Sequence, residues 1–173
     1  MKKNYLVALI ILIFFIFLFF NFFIIEEEII LFPKFGKDSD GSLSDEIVEN
    51  IKKGYERVIL KFYPYGFLEV WGWENQFFVK KIFAVVEWRA DEDLGAGNIF
   101  IGYSLDGKNY YEIGPFNASN NYTKTIIEIP IKTFSNIENI KIRFRGEDLD
   151  YAIDAYAEVK IYLKVIRYKF RLY

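Results

Sequence analysis

The sequence predicts an all-β domain, an antiparallel β-sandwich of jelly-roll type with about eight strands, preceded by one N-terminal transmembrane helix. Three observations lead there. An uncharged apolar run fills residues 5–25. From Tyr55 onward the apolar residues recur with a period of two. Gly, Asn, Asp and Pro clusters then separate these alternating runs at regular spacing, the pattern of a sandwich rather than of βαβ units.

The apolar run, "YLVALIILIFFIFLFFNFFII", carries no charge from Tyr5 to Ile25. As a helix rising ~1.5 Å per residue it spans the ~30 Å of a bilayer core. Lys2 and Lys3 precede it and Glu26, Glu27 and Glu28 follow. The positive-inside rule therefore puts residues 1–4 in the cytoplasm and everything beyond the helix outside. A cleaved signal peptide has an apolar stretch of roughly 7–15 residues and small residues at its cleavage site. Here the run is longer and ends in Asn-Phe-Phe-Ile-Ile-Glu, which favours a retained signal anchor.

Residues 26–54 read as a juxtamembrane linker with a short helix. Pro33 and Gly36 stop any outward continuation of the first helix, and "GKDSDGSLSDE" is polar. The stretch fails as a calcium loop: with Gly41 as the turn glycine, the first and twelfth positions are Gly36 and Ile47, where oxygen ligands are required. "SDEIVENIKKG" has helix signals at both ends: Ser44 as cap, Asp45 and Glu46 in the first turn, Lys52, Lys53 and Gly54 at the close.

Residues 55–173 form the extracytoplasmic sandwich. Val58, Leu60 and Phe62 alternate with Ile59, Lys61 and Tyr63; "GFLEVWGW" places Phe67, Glu69, Trp71 and Trp73 on one face and Leu68 and Val70 on the other. Residues 78–90 form a long alternating strand with Ile82, Ala84, Val86 and Trp88 on one side. Residues 99–104, 110–113, 123–131, 140–144 and 155–165 complete the set.

Composition removes whole classes of chemistry. The chain of 173 residues has no cysteine and no histidine, so thiolate and imidazole catalysis and His-rich zinc sites are excluded. The acidic body does not favour nucleic acid, whose binding needs a basic face. Lys160, Lys164, Arg167, Lys169 and Arg171 make the C-terminal end basic, either as a last strand with its cations on the solvent face or as a patch that pairs with acidic loops of the same domain, a partner or lipid headgroups.

The stretch "NIFIGYSLDGKNYYEIG" joins two strands through Asp106 and Gly107, a tight hairpin signal because glycine accepts positive φ. With "KKIFAVVEWRA" before it and "IKIRFRGEDLDYAIDAYAEVKIYL" after it, this hairpin resembles the galactose-binding-like jelly rolls, including the discoidin (coagulation factor C-type) domains. The resemblance covers roughly residues 77–163. Tyr110 stands where those domains commonly have tryptophan, Asp154 falls at their acidic position before the final strand, and their cysteine staple is missing. It implies the fold and carries no ligand residue across.

Glu69, Trp71 and Trp73 are the candidate ligand-binding residues. If Glu69 faces solvent the two indoles form a ridge for stacking on sugar rings; if the face is inward they are core. Asp91 and Asp93, with Glu147, Asp148, Asp150 and Asp154, are candidate ligands for the structural calcium that jelly-roll binding modules often hold, or else two solvated acidic loops. No other cofactor is expected. Asn117 and Asn121 open two N-glycosylation sequons. Paired carboxylates are the one route to an enzyme, a glycoside hydrolase with two acids about 5–9.5 Å apart. The expectation is a non-catalytic, single-pass binding or adhesion module outside the cell membrane, with surface glycan as partner. A structural subunit of an envelope or membrane assembly is the alternative.

Overall fold

The computed structural model describes residues 2–41, 44–61, 65–130, 137–150 and 154–171, apart from the side chains of residues 2–4, 6, 19–23 and 44. The expected positions of Phe62, Tyr63 and Ile131 and the capping side chain of Ser44 lie outside that set. Helix α1 spans Lys2–Phe23, followed by strands β1 (Ile24–Leu31) and β2 (Phe35–Asp38), helix α2 (Ser44–Lys53), then β3 (Glu56–Ile59), β4 (Gly66–Trp71), β5 (Val79–Ala90), β6 (Ala96–Ser104), β7 (Tyr111–Asn117), β8 (Thr123–Ile129), β9 (Lys141–Asp148) and β10 (Tyr156–Phe170).

The strands make two five-stranded sheets. The first runs β1-β10-β5-β8 with β3 also on β10, and the second runs β2-β4-β9-β6-β7. All named pairs are antiparallel. Leaving aside β2 and β3, the orders 1-10-5-8 and 4-9-6-7 are the two interlocked Greek keys of a jelly roll. Alternation explains the layers: Ile82, Ala84, Val86 and Trp88 from β5 and Val159, Ile161 and Leu163 from β10 face Ile142 and Phe144 of β9, all buried. Trp88 and Phe144 meet at the centre, ring centroids 6.0 Å apart.

The segment expected as a linker departs from that reading. Residues 24–31 are a strand in full register with β10, from Ile24↔Phe170 to Leu31↔Leu163, and begin with no residue between them and α1. Residues 35–38 pair with β4. The physical reason is charge. The acidic triplet that reads as a solvated stalk meets the basic last strand, with Lys164 on Glu28 at 2.6 Å and Arg167 and Lys169 each on Glu27 at 2.7 Å. The polar run between β2 and α2 does not detach α2, which seals the core with Ile47 and Ile51.

Among the described residues no helix is long and apolar enough to cross a membrane. The backbone of α1 continues from Lys2 to Phe23, and its described side chains are Tyr5 and residues 7–18, fewer than a span requires.

Candidate functional site

The outer face of the second sheet gathers planar aromatic and cationic groups around one carboxylate. Along β4, Leu68 and Val70 turn inward, so Phe67, Glu69 and Trp71 turn outward; along β9, Ile142 and Phe144 turn inward, so Lys141, Arg143 and Arg145 turn outward. The register sets Phe67 opposite Arg145 and Glu69 opposite Arg143.

Glu69 is 1% exposed, with every approach taken by a partner. Arg143 donates to Oε2 from Nε at 3.0 Å and Nη2 at 2.6 Å, Lys141 donates to Oε1 at 3.3 Å, and Lys37 lies 3.4 Å away. The Tyr110 hydroxyl also donates to Glu69. Burial by itself would raise the Glu69 pKa; the hydrogen bonds from Tyr110 and Arg143 and the charges of Arg143 and Lys141 outweigh it and bring it to about 2. Burial and the adjacent Glu69 push the Tyr110 hydroxyl far above its ordinary value. Glu69 is therefore a fixed anion that holds the cations in place, the opposite of a general acid.

The cations in turn lie over rings. The Arg143 guanidinium is 3.7 Å from the Tyr110 centroid, Arg145 is 3.9 Å from Phe100 and 4.4 Å from Tyr65, and Lys141 is 5.1 Å from Trp71. Arg145 is fixed from its other side by Glu112, through hydrogen bonds of 2.9 and 2.8 Å. Trp71 is half-buried, stacked on Phe35 at 6.0 Å, and forms one wall of an open cleft of about 290 Å³ with Asp106, Gly107, Glu138, Asn139 and Lys141.

Trp73 does not share this face. Gly72 adopts φ +78°, which ends β4 and turns the next side chain inward. Trp73 is 0% exposed and its indole N–H donates to the Ile140 carbonyl at 2.7 Å. The structure thus brings Glu69 and Trp71 together and separates Trp73 from them, so there is no two-indole ridge.

The Asp106–Gly107 turn is wider than a two-residue hairpin: residues 105–110 lie between β6 and β7. Asp106 organises the loop by accepting the backbone N–H groups of Lys108 and Asn109, both at 2.8 Å, and Gly107 takes φ +74°. Those bonds hold the Asp106 carboxyl well below the usual carboxylate range. The loop delivers Tyr110 to Glu69 and Asp106 to the cleft.

The acidic loops adjoin, since Ala96 pairs with Asp148 and the Leu149 N–H donates to the Gly95 carbonyl at 2.8 Å. Three of these carboxylates spend oxygens locally. Asp93 accepts from Asn120 at 2.9 Å and Glu147 from Asn98 at 2.9 Å, and buried Asp148 accepts the N–H groups of Asp150 and Ala155 at 2.8 and 3.0 Å. Asp91 caps a turn of 3-10 helix without a side-chain bond, and Asp154 is exposed. Among the described residues no three carboxylates gather as metal ligands. Asn117, at the end of β7, and Asn121 are both exposed.

A second, acidic cleft of about 340 Å³ contains Asp38, Asp40, Glu46 and Glu56. Burial raises the Glu56 pKa, a hydrogen bond from Asn50 at 2.8 Å lowers it, and the neighbouring acids Glu46 and Asp38 add to the rise. Sequence reading passed over Lys37, Lys141, Arg143, Arg145 and Glu56. Lys141, Arg143 and Arg145 were legible in principle, because "KIRFRG" alternates cations with core residues on the strand that pairs with Glu69.

No protein-family model matches the chain, and no curated protein matches it. Solved structures similar to it include a family 29 carbohydrate-binding module, at 12% identity over 82% of this chain and 89% of that one, with a TM-score of 0.44. Another is a CBM29-2 mutant complexed with mannohexaose, at 11% identity over 82% of this chain and 92% of that one, with a TM-score of 0.43.

Proposed function

We propose that the chain is a non-catalytic saccharide-binding module that uses the outer face of the second sheet. The supporting observation is the cleft at Trp71. A half-buried indole face stands beside donors from Lys141 and Asn139 and acceptors from Asp106 and Glu138. A pyranose presents the complementary pattern, an apolar ring face edged by hydroxyls. The Glu69 network fixes the cleft's cation in advance, which lowers the cost of ordering on binding.

The apolar run at residues 5–25 and the flanking charges support a single-pass anchor with a cytoplasmic N-terminus and an extracytoplasmic domain. On that side Asn117 and Asn121 are exposed glycan acceptors, a reading that an unshifted intact mass of the native protein would remove.

The decisive experiment is a glycan array on the full chain in detergent, followed by titration of the best ligand against Trp71→Ala. The variant should bind about tenfold more weakly, a difference of about 1.4 kcal/mol, while still folding and melting cooperatively. Unaltered affinity in the variant, or an array with no ligand, would remove the reading. A structural subunit is the second reading, favoured by edge strand β7, whose Tyr111 and Ile113 are exposed. It expects a silent array and cross-links from β7 to another protein.

A further inference from the structure

The end of the sandwich next to α1 carries a cluster that neither the core nor the saccharide cleft uses. Phe77 is 79% exposed and Phe78 65%, more than any other large apolar side chain outside α1 among the described residues. They are not isolated. Phe78 and Phe170 meet edge to face with centroids 5.8 Å apart, and the Tyr168 N–H donates to the Phe78 carbonyl at 2.9 Å. Tyr168 and Phe170 lie in register with Glu26 and Ile24 on one face of the strand pair, and Ile25, also exposed, pairs with Lys169 on the opposite face, so the exposed apolar groups surround this end.

The cluster is held open rather than left loose. Phe78 has φ +57°, an uncommon and strained conformation for a bulky side chain, which persists only where surroundings enforce it. Arg167 supplies that enforcement. It donates to the Gln76 side-chain oxygen at 2.6 Å and, through two nitrogens, to Glu27 at 3.0 and 2.7 Å. The tip is thereby clamped to both β10 and β1 with its rings outward.

Position identifies the occupant. Helix α1, whose described side chains from Tyr5 to Phe17 are exposed and apolar, ends at Phe23. Ile24 to Glu26 follow as strand at ~3.4 Å per residue, so along β1 Phe170 stands roughly 3 Å, Ile25 roughly 7 Å and Tyr168 roughly 10 Å from the helix end. The headgroup layer beyond a bilayer's hydrocarbon core has a depth in that range, and aromatic side chains concentrate there. The nearby cations also fit that layer. Lys80 lies 5.7 Å from the Tyr168 ring and pairs with Glu26, and Lys169 pairs with Glu27.

We propose that Phe77, Phe78, Tyr168, Phe170 and Ile25 form a lipid-contacting collar that seats this end of the domain in the headgroup layer of a bilayer. The inference takes its position from the anchor reading and adds a second, independent contact by the folded domain.

The chain has no cysteine, so single-cysteine variants take a nitroxide at one chosen site. Full-length protein is reconstituted in phosphatidylcholine–phosphatidylglycerol vesicles with labels at Leu12→Cys, Phe77→Cys, Phe170→Cys or Lys108→Cys. Collision with a water-soluble nickel chelate and with lipid-soluble oxygen is then measured. The collar predicts that Phe77 and Phe170 labels lose nickel access relative to Lys108 and gain oxygen access, at a depth shallower than Leu12. Nickel access at Phe77 equal to that at Lys108, with Leu12 deep, overturns the collar and leaves the anchor. A lipid-exposed Phe77 with a water-exposed Leu12 upholds the collar and overturns the anchor. Loss of both nickel and oxygen access at Phe77 indicates a protein neighbour and overturns the collar.

Discussion

The two outer faces of the sandwich use the same residue types to different ends. On the outer face of the first sheet the acids of β5 and β10 meet cations at the surface. Arg89 forms a bidentate pair with Glu158 at 3.1 and 2.7 Å, which Tyr122 joins, and Lys124 lies 3.1 Å from Glu87. On the outer face of the second sheet one acid, Glu69, is buried beneath Arg143, Lys141, Lys37 and Tyr110. An exposed pair exchanges one set of hydrogen bonds for another with water, whereas the buried anion has no water to replace a lost partner. The first face is a solvated surface; the second is a rigid platform.

Removing the central anion should separate the faces most sharply. Glu69→Leu leaves three cations crowded together and is expected to cost about 3 kcal/mol, near the low end for a broken buried pair because the cations keep some water. In a chain of this size that is roughly 6–12 °C in melting temperature. A loss as small as that of a surface pair would mean the platform is not held by Glu69.

Acid should narrow the gap between wild type and that variant. The Glu69 pKa is about 2 in the folded chain against an ordinary value of 4.5. Its stabilisation is therefore complete above about pH 4.5 and is lost as the pH falls toward about 2. Urea midpoints of the two proteins should converge between pH 5 and about 2.5 and stay apart at pH 7. Parallel curves would contradict the depressed pKa.

On the first face, Arg89→Ala should cost under about 1 kcal/mol, with most of that loss gone in high salt. The smallest effect belongs to Glu56→Gln. The folded state raises the Glu56 pKa, so it favours the protonated form below the ordinary range and is penalised once the group ionises. The variant should be slightly more stable than wild type at pH 7, with no gain at pH 4, by thermal melting at each pH. It also tests the acidic cleft for chemistry: polysaccharide hydrolysis that vanishes in Glu56→Gln would contradict a non-catalytic module.

Period-two alternation made the central strands legible, because Ile82 to Trp88 and Ala157 to Val165 each have one wholly apolar face. β1 was not legible. Three consecutive glutamates break the alternation, and what makes them a strand is a basic partner about 140 residues away, a non-local pairing with no local signature. The candidate site was half legible. Glu69 and Trp71 share a face because the strand continues through both, whereas Trp73 turns inward because Gly72, at φ +78°, breaks the alternation just after Trp71. The burial of Glu69 depended on Tyr110 and β9, which arrive from elsewhere in the chain.

The direct passage from α1 into β1 has a mechanical side. A pull transmitted through α1 enters β1 at Ile24, and its component along the strand axis loads the whole register from Ile24↔Phe170 to Leu31↔Leu163. Loaded in that direction the inter-strand hydrogen bonds are sheared together instead of being unzipped one rung at a time. The junction thus works as a stiff coupling, with no slack tether between helix and sandwich.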